Sequence, residues 1–233
     1  MRAIVAPSRS ASTGRSCLTD RLGLPAPGPV LQGVSLFCQD ETPGEALYLA
    51  EGTCKLVRQR PDGADVIVGL RGSGRFLAAE AAILSRPYPV SAVTLNTCWV
   101  SRVAAARFRD LVRSLPELSW SLHRMQGEEL YLEAGRIADL GSLSARERLL
   151  QFLDKLHRGL PQDGETASEI RVHVPLKQAE IAQLLAIAPP YLCTLIGQLE
   201  KEGVLQREDD TFVLRRRPRG HSRDLSARAA TVT

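Results

Sequence analysis

A chain of 233 residues is long enough for two modest domains, each with its own core. Apolar residues make up 44% and charged residues 24%, which excludes a wholly disordered chain and a coiled-coil rod; the longest apolar runs fall far short of the roughly 20 residues that cross a bilayer. The formal net charge of +4 is too mild to name nucleic acid as a partner, although six arginines against one acid between Arg215 and Arg228 gather the excess at the C-terminus.

Residues 1–24 read as a flexible tail followed by a short helix over Cys17 to Leu24. Met1 to Ser16 contains no apolar h-region, so a cytoplasmic protein without membrane contact is expected. Cys17, Cys38, Cys54, Cys98 and Cys193 are never closer than 16 residues, and His123, His157, His173 and His221 are equally scattered. Metal and iron-sulfur sites favour close pairs, so no metal or cofactor is expected and the thiols read as buried and free. No nucleophile elbow, Walker loop or paired metal ligands occur, which leaves no catalytic residues to name.

From residue 25 to 115, turn residues recur at short intervals: Gly33, Gly44, Gly52, Asp62-Gly63, Gly72 and Gly74. The runs Val34 to Phe37, Leu47 to Ala50, Thr53 to Arg58, Ala64 to Leu70, Val90 to Leu95 and Cys98 to Val103 predict strands of an all-β sandwich or barrel. Asp62-Gly63 is the clearest hairpin turn. The period then changes. Ala105 to Leu115 reads as a helix, and Pro116 opens a longer one that runs to about Leu140. Leu118, Leu122, Met125 and Leu132 fall on one stripe of it, and Leu130, Ala134 and Ile137 on another. A long helix with two apolar stripes suits a pair of helices, so residues 116–141 are expected to form a homodimer through Leu118, Leu122, Met125 and Leu132, with Glu129 interrupting the seam.

Ser144 and Glu147 form a capping box ahead of a helix over Ala145 to Arg158, which opens a further domain over residues 142–217. After a polar loop and a strand over Glu169 to Val174, Leu176 to Leu185 and Pro190 to Glu202 predict two helices joined by a short turn, with Gly203 ending the second. Val204 to Arg207 and Thr211 to Arg215 predict a hairpin, a wing, and residues 218–233 a basic tail. In a winged helix-turn-helix the second helix enters the major groove of double-stranded DNA. Pro190, Tyr191, Thr194 and Gln198 are the groove-facing candidates; Lys177, Gln178, Lys201, Arg207, Arg215, Arg216 and Arg217 are the candidates for phosphates.

The order of these parts resembles the cyclic-AMP receptor and fumarate-nitrate regulator (Crp/Fnr) family of bacterial transcription factors, over about residues 25–215. The resemblance rests on Gly44-Glu45-Ala46-Leu47-Tyr48-Leu49 followed by Gly52, on Asp62-Gly63 followed by Val66-Ile67-Val68, and on Ala179 to Leu185. It implies an α+β chain made of an N-terminal β-roll of the cyclic-nucleotide-binding, jelly-roll kind, a long dimerisation helix and a C-terminal winged helix-turn-helix, with RNA polymerase as a further partner. Members that bind cyclic AMP hold its phosphate with Gly-Glu and Arg-Ser pairs; the matching effector-pocket residues here are Ala78, Ala79, Glu80, Val90 and Ser91. Without the arginine a buried phosphate lacks its main charge-assisted bonds, so cyclic AMP is not the expected effector, and the effector is left unnamed. The usual carboxylate and arginine of the recognition helix are replaced by Pro190 and Thr194, so the family's half-site does not follow. A second reading is a ligand-binding or protein-interaction module whose helix-turn-helix has lost DNA affinity; retention on DNA-cellulose separates the two.

Overall fold

The computed structural model describes Thr19, residues 21–159 and residues 169–215. Arg216, Arg217, the basic tail, most of the polar loop after residue 159 and the N-terminal tail lie outside the described residues. Of the short helix expected over 17–24, Thr19 and residues 21–24 are described: Thr19 and Arg21 are helical, whereas Leu22 and Gly23 form a turn and Leu24 has no regular structure, so the helix ends earlier than expected.

Strand Glu45–Glu51 (β3) explains how the N-terminal half is layered. Its residues Ala46 to Ala50 are all buried, the pattern of a strand covered on both faces. Leu47 and Leu49 point into the roll with Leu36, Cys54 and Ala92, while Ala46, Tyr48 and Ala50 point to the other side and meet Phe108, Leu118 and Leu122 of the following helices. The roll interior lies between two four-stranded antiparallel sheets. One orders Gly28–Val30 (β1), Cys98–Ala104 (β8), β3 and Arg75–Leu77 (β6); the other orders Ser35–Phe37 (β2), Ser91–Thr94 (β7), Thr53–Gln59 (β4) and Asp65–Gly72 (β5). Gly52, which turns β3 into β4 at φ 105°, is required: a Cβ there would sit 2.5 Å from Cys98 Sγ and 2.8 Å from Cys98 Cα. Strands β1 and β6 and the helix Ala79–Leu84 (α1) are additions to the sequence reading.

Helices Ala105–Ser114 (α2) and Pro116–Ser142 (α3) cover the outer face of β3, and Ala145–Gly159 (α4) follows. The capping box that starts α4 is present: Ser144 N and Oγ donate to Glu147 Oε2 at 2.8 and 2.7 Å, and Glu147 N donates to Ser144 Oγ at 3.3 Å. These bonds hold the Glu147 carboxyl below its ordinary pKa. The C-terminal core gathers Leu149, Leu153, Val172, Ile181, Leu192, Leu199 and Phe212 around Gln178–Leu184 (α5) and Pro189–Lys201 (α6). The wing differs from the expected two-stranded hairpin. Leu205–Glu208 (β10) and Thr211–Arg215 (β11) are joined by Glu169–His173 (β9) in the order β10-β11-β9, because Val172 pairs with Phe212 and closes the core beneath α6.

No single helix among the described residues is long and apolar enough to cross a membrane, and no group of His, Cys, Asp or Glu among them could hold a metal ion. Cys54 and Cys98 are buried, and burial drives the Cys54 thiol up to about 12. The expectation of buried thiols fails for Cys38 and Cys193, which are exposed.

Candidate nucleic-acid interface

Helix α6 buries Leu192, Leu195, Ile196 and Leu199 and turns its opposite face to solvent. On that face stand Pro190, Tyr191, Cys193, Thr194, Gln198 and Lys201. Tyr191, Thr194, Gln198 and Lys201 recur at three- and four-residue intervals, so they form one outward stripe. Pro189 and Pro190 open the helix, where the missing N–H costs nothing, and α5 and α6 meet at 97°. The sequence reading did not single out Cys193, which accepts a hydrogen bond from Gln178 Nε2 at 3.1 Å and so ties the start of α5 to the outward side of α6.

The phosphate candidates are placed less uniformly. Lys177 is exposed as the N-cap of α5 and Lys201 is exposed in the last turn of α6. Arg207 is committed to the wing: its Nε donates to Asp209 O at 3.0 Å, its backbone N donates to Glu200 Oε1 at 3.0 Å and its guanidinium lies 5.7 Å from the Phe212 ring centre. Arg215 closes β11, opposite Glu169.

Helix α5 is fastened to the roll by side chains that the sequence reading did not select. Lys55 Nζ on β4 donates to Glu180 Oε1 at 2.5 Å, with the two side chains only 21% and 18% exposed. Gln183 spans the outer edge of β5, accepting from Ile67 N at 3.0 Å and donating to Asp65 O at 3.3 Å. Covering an edge strand with a helix satisfies amides that would otherwise need water. Arg136 of α3 donates to Val68 O at 2.8 Å and Leu184 O at 3.4 Å, which adds the long helix to the same junction. Burial pushes the Glu180 carboxyl up, but Lys55 and the Lys177 N–H more than offset it, so its pKa falls below 4.5.

The long helix corrects the expected dimer seam. Leu118 and Leu122 are 0% and 4% exposed against the chain's own roll, and Met125 packs beside them. Glu129 continues that inward stripe and pairs with Arg71 of β5, while Leu132 reaches a cavity between the domains. Leu118, Leu122 and Met125 belong to intrachain packing because β3 presents Tyr48 and Ala50 to them, whereas Leu132 remains 56% exposed. A different seven-residue repeat faces outward: Trp120, Gly127, Ala134 and Gly141, with His123, Leu130 and Ile137 three residues after the first three. Leu130 and Ile137 are each 72% exposed, and a Cβ at Gly127 or Gly141 would meet nothing.

Residues 29–114 match the cyclic nucleotide-binding domain and residues 147–219 the Crp-like helix-turn-helix domain. The chain is a member of the Crp/Fnr family of transcription regulators. The fumarate and nitrate reduction regulatory protein of Escherichia coli is 25% identical over 177 residues, 76% of this chain and 70% of that protein. The transcriptional activator protein FnrA of Stutzerimonas stutzeri is 24% identical over 180 residues, 77% of this chain and 72% of the relative. Among solved structures, the global regulator CLP of Xanthomonas campestris shares the fold with a TM-score of 0.72 at 18% identity, over 85% of this chain and 98% of that one. FixK2 of Bradyrhizobium japonicum does so with 0.70 at 19% identity, over 83% and 94%. Crp/Fnr members are DNA-binding transcription regulators rather than enzymes.

In this Crp/Fnr chain the five expected effector-pocket residues do not converge, which corrects that grouping. Ala78 is the N-cap of α1 and packs into the roll interior with Leu36, Leu47 and Tyr88, whereas Ala79 packs on the other side of the sheet with Tyr48 and Phe108. Val90 lies against the interior cluster, and Glu80 is exposed. Of the five, only Ser91 lines a cavity of about 480 Å³ beside Lys55 and Glu180, and its Oγ accepts from Gln39 N at 2.9 Å. Methyl groups fill the space because α1 is built from alanines at 79, 81 and 82, all buried.

Proposed function

We propose that this regulator acts as a homodimer whose protomers pair along the outward face of α3, through Leu130, Ala134 and Ile137 with Gly127 and Gly141 allowing close approach. The observation that carries the reading is the seven-residue repeat of exposed apolar and small residues, which costs free energy in water and gains it against a second copy. Residues 25–115 then form the roll, 116–141 the dimerisation helix and 142–217 the DNA-binding unit. Tyr191, Thr194 and Gln198, with Pro190 in the first turn, read base edges. Lys177, Gln178, Lys201, Arg207 and Arg215, and Arg216 and Arg217 beyond the described residues, serve phosphates. Regulating transcription places the protein in the bacterial cytoplasm, where RNA polymerase is a further partner.

Cyclic AMP is not the effector in this reading. Ala78 and Ala79 are buried among core side chains, and Val90 offers no guanidinium to a cyclic phosphate. Sedimentation velocity on the purified chain, with and without cyclic AMP, tests both parts. A dimer at micromolar concentration, unchanged by the nucleotide, is the expected result; a monomer, or a monomer that cyclic AMP converts to a dimer, would contradict it.

A further inference from the structure

The cleft where roll, long helix and DNA-binding unit meet encloses about 460 Å³, within the ~300–1,000 Å³ usual for small-molecule sites. Its walls come from β5, α3, α4 and α5 together. None of Ala78, Ala79, Glu80, Val90 or Ser91 lines it, so it is a different place from the stretch that matches the family's cyclic-nucleotide contacts.

Leu70, Leu132, Leu140, Phe152 and Leu156 give the cavity an apolar body. The charges around that body are matched nearly one to one. Glu129 pairs with Arg71, Glu133 with Arg136 at 3.8 Å and Asp139 with Lys155 at 3.3 Å, while Arg75 turns to Glu128 outside the lining at 3.2 Å, a carboxylate it shares with Arg124 at 3.8 Å. Arg148 is left over. Its Nη1 donates to the carbonyls of Leu140 and Leu143 at 3.3 and 3.0 Å, which fixes the side chain at the end of α3. Its Nε is buried without a hydrogen-bond partner, and it has no carboxylate partner among the described residues. The buried Nε is out of a ligand's reach, whereas Nη2 makes no hydrogen bond among the described residues and is not enclosed, so it is the donor open to an acceptor.

One uncompensated cation calls for one negative charge. A carboxylate brings that charge in a planar pair of oxygens suited to a guanidinium; a phosphate monoester would bring about two charges, and an alcohol none. We infer that this cavity binds a small carboxylic acid with an apolar alkyl or aryl body, its carboxylate on Arg148 and its body against Leu132, Leu140 and Phe152. Because the walls belong to both domains, an occupied cavity holds α5 to the roll beside the Lys55–Glu180 pair and so biases the orientation of α6. That regulatory consequence rests on the proposed DNA-binding function; the binding itself does not.

Calorimetric titration of the full chain with octanoate and with octanol, in the absence of DNA, tests the site. Octanoate should bind one per chain, and octanol about tenfold or more weaker, the loss of one charge-assisted contact. Arg148→Met should weaken octanoate by about tenfold and leave octanol unchanged. Gln151→Trp, which puts bulk into the same cavity from α4, should abolish both while leaving the far-ultraviolet circular dichroism unaltered. Equal affinity for acid and alcohol, no octanoate binding at about 1 mM, or undiminished binding in Gln151→Trp would each overturn the assignment. If Arg148→Met fails to fold, the acid-to-alcohol ratio and Gln151→Trp still decide the matter. A chain that binds octanoate but no DNA would retain the site and lose only its regulatory meaning.

Discussion

Thr194 donates its hydroxyl proton inward, to Pro190 O at 3.2 Å, so what it offers a base pair is its methyl group and an oxygen lone pair. A methyl group suits thymine. Thr194→Val should therefore keep the base preference at its position, whereas Thr194→Ser should lose about 1 kcal/mol of discrimination, measured by competition among duplexes altered one base pair at a time. The Lys55–Glu180 pair carries a pH dependence of definite sign. Since the folded pKa of Glu180 lies below its ordinary 4.5, the pair stabilises above that value and loses its contribution as the pH falls through the lower folded value. Glu180→Gln should cost about 1 kcal/mol in urea unfolding at neutral pH, a modest figure because the pair keeps some contact with water, and progressively less as the pH is lowered below 4.5. The outward stripe of α6 was legible in the sequence because helical spacing alone places Tyr191, Thr194 and Gln198 together. Lys55 and Glu180 were not, since they lie 125 positions apart and only the docking of α5 on β4 and β5 brings them into contact.

Among the elements, α3 shows how far periodicity reaches. Its inward and outward faces both repeat every seven residues, and spacing cannot say which of them meets the roll. The decision comes from the partner surface: Tyr48 and Ala50 of β3 receive Leu118 and Leu122, and Arg71 receives Glu129. Glu129 was the one sign within the sequence, because a carboxylate in a seam between identical helices would face its own copy. Two substitutions separate the faces. Leu118→Ala, at a fully buried side chain, should lower folding stability by about 3 kcal/mol in chemical denaturation. Ile137→Glu, at an exposed one, should leave the protomer folded and shift sedimentation from dimer to monomer. The short elements β1, β6 and α1 escaped the sequence reading because three to six residues are too few to establish a period.

At the scale of the whole molecule, the family architecture was legible because each part carries its own local marks: glycine turns between short strands, Pro116 opening a long helix, the Ser144-Glu147 box and Gly203 closing the recognition helix. The effector residues do not form one pocket because neighbours in sequence, such as Ala78 at the left-handed N-cap of α1 and Ala79 in its first turn, pack into different core clusters. Arg136 and the bonds of Lys55 and Gln183 join the long helix, the roll and α5, the helix that precedes α6, and in the proposed homodimer this junction lies between the paired long helices and the outward face of α6. Two recognition helices related by a dyad must enter successive major grooves, about 34–36 Å apart. Selection of binding sites from random duplex DNA at low salt tests this directly. The expected result is a palindrome with half-sites about one helical turn apart, lost in Ile137→Glu; enrichment of no motif, or of a single unpaired half-site by the wild-type chain, would contradict it.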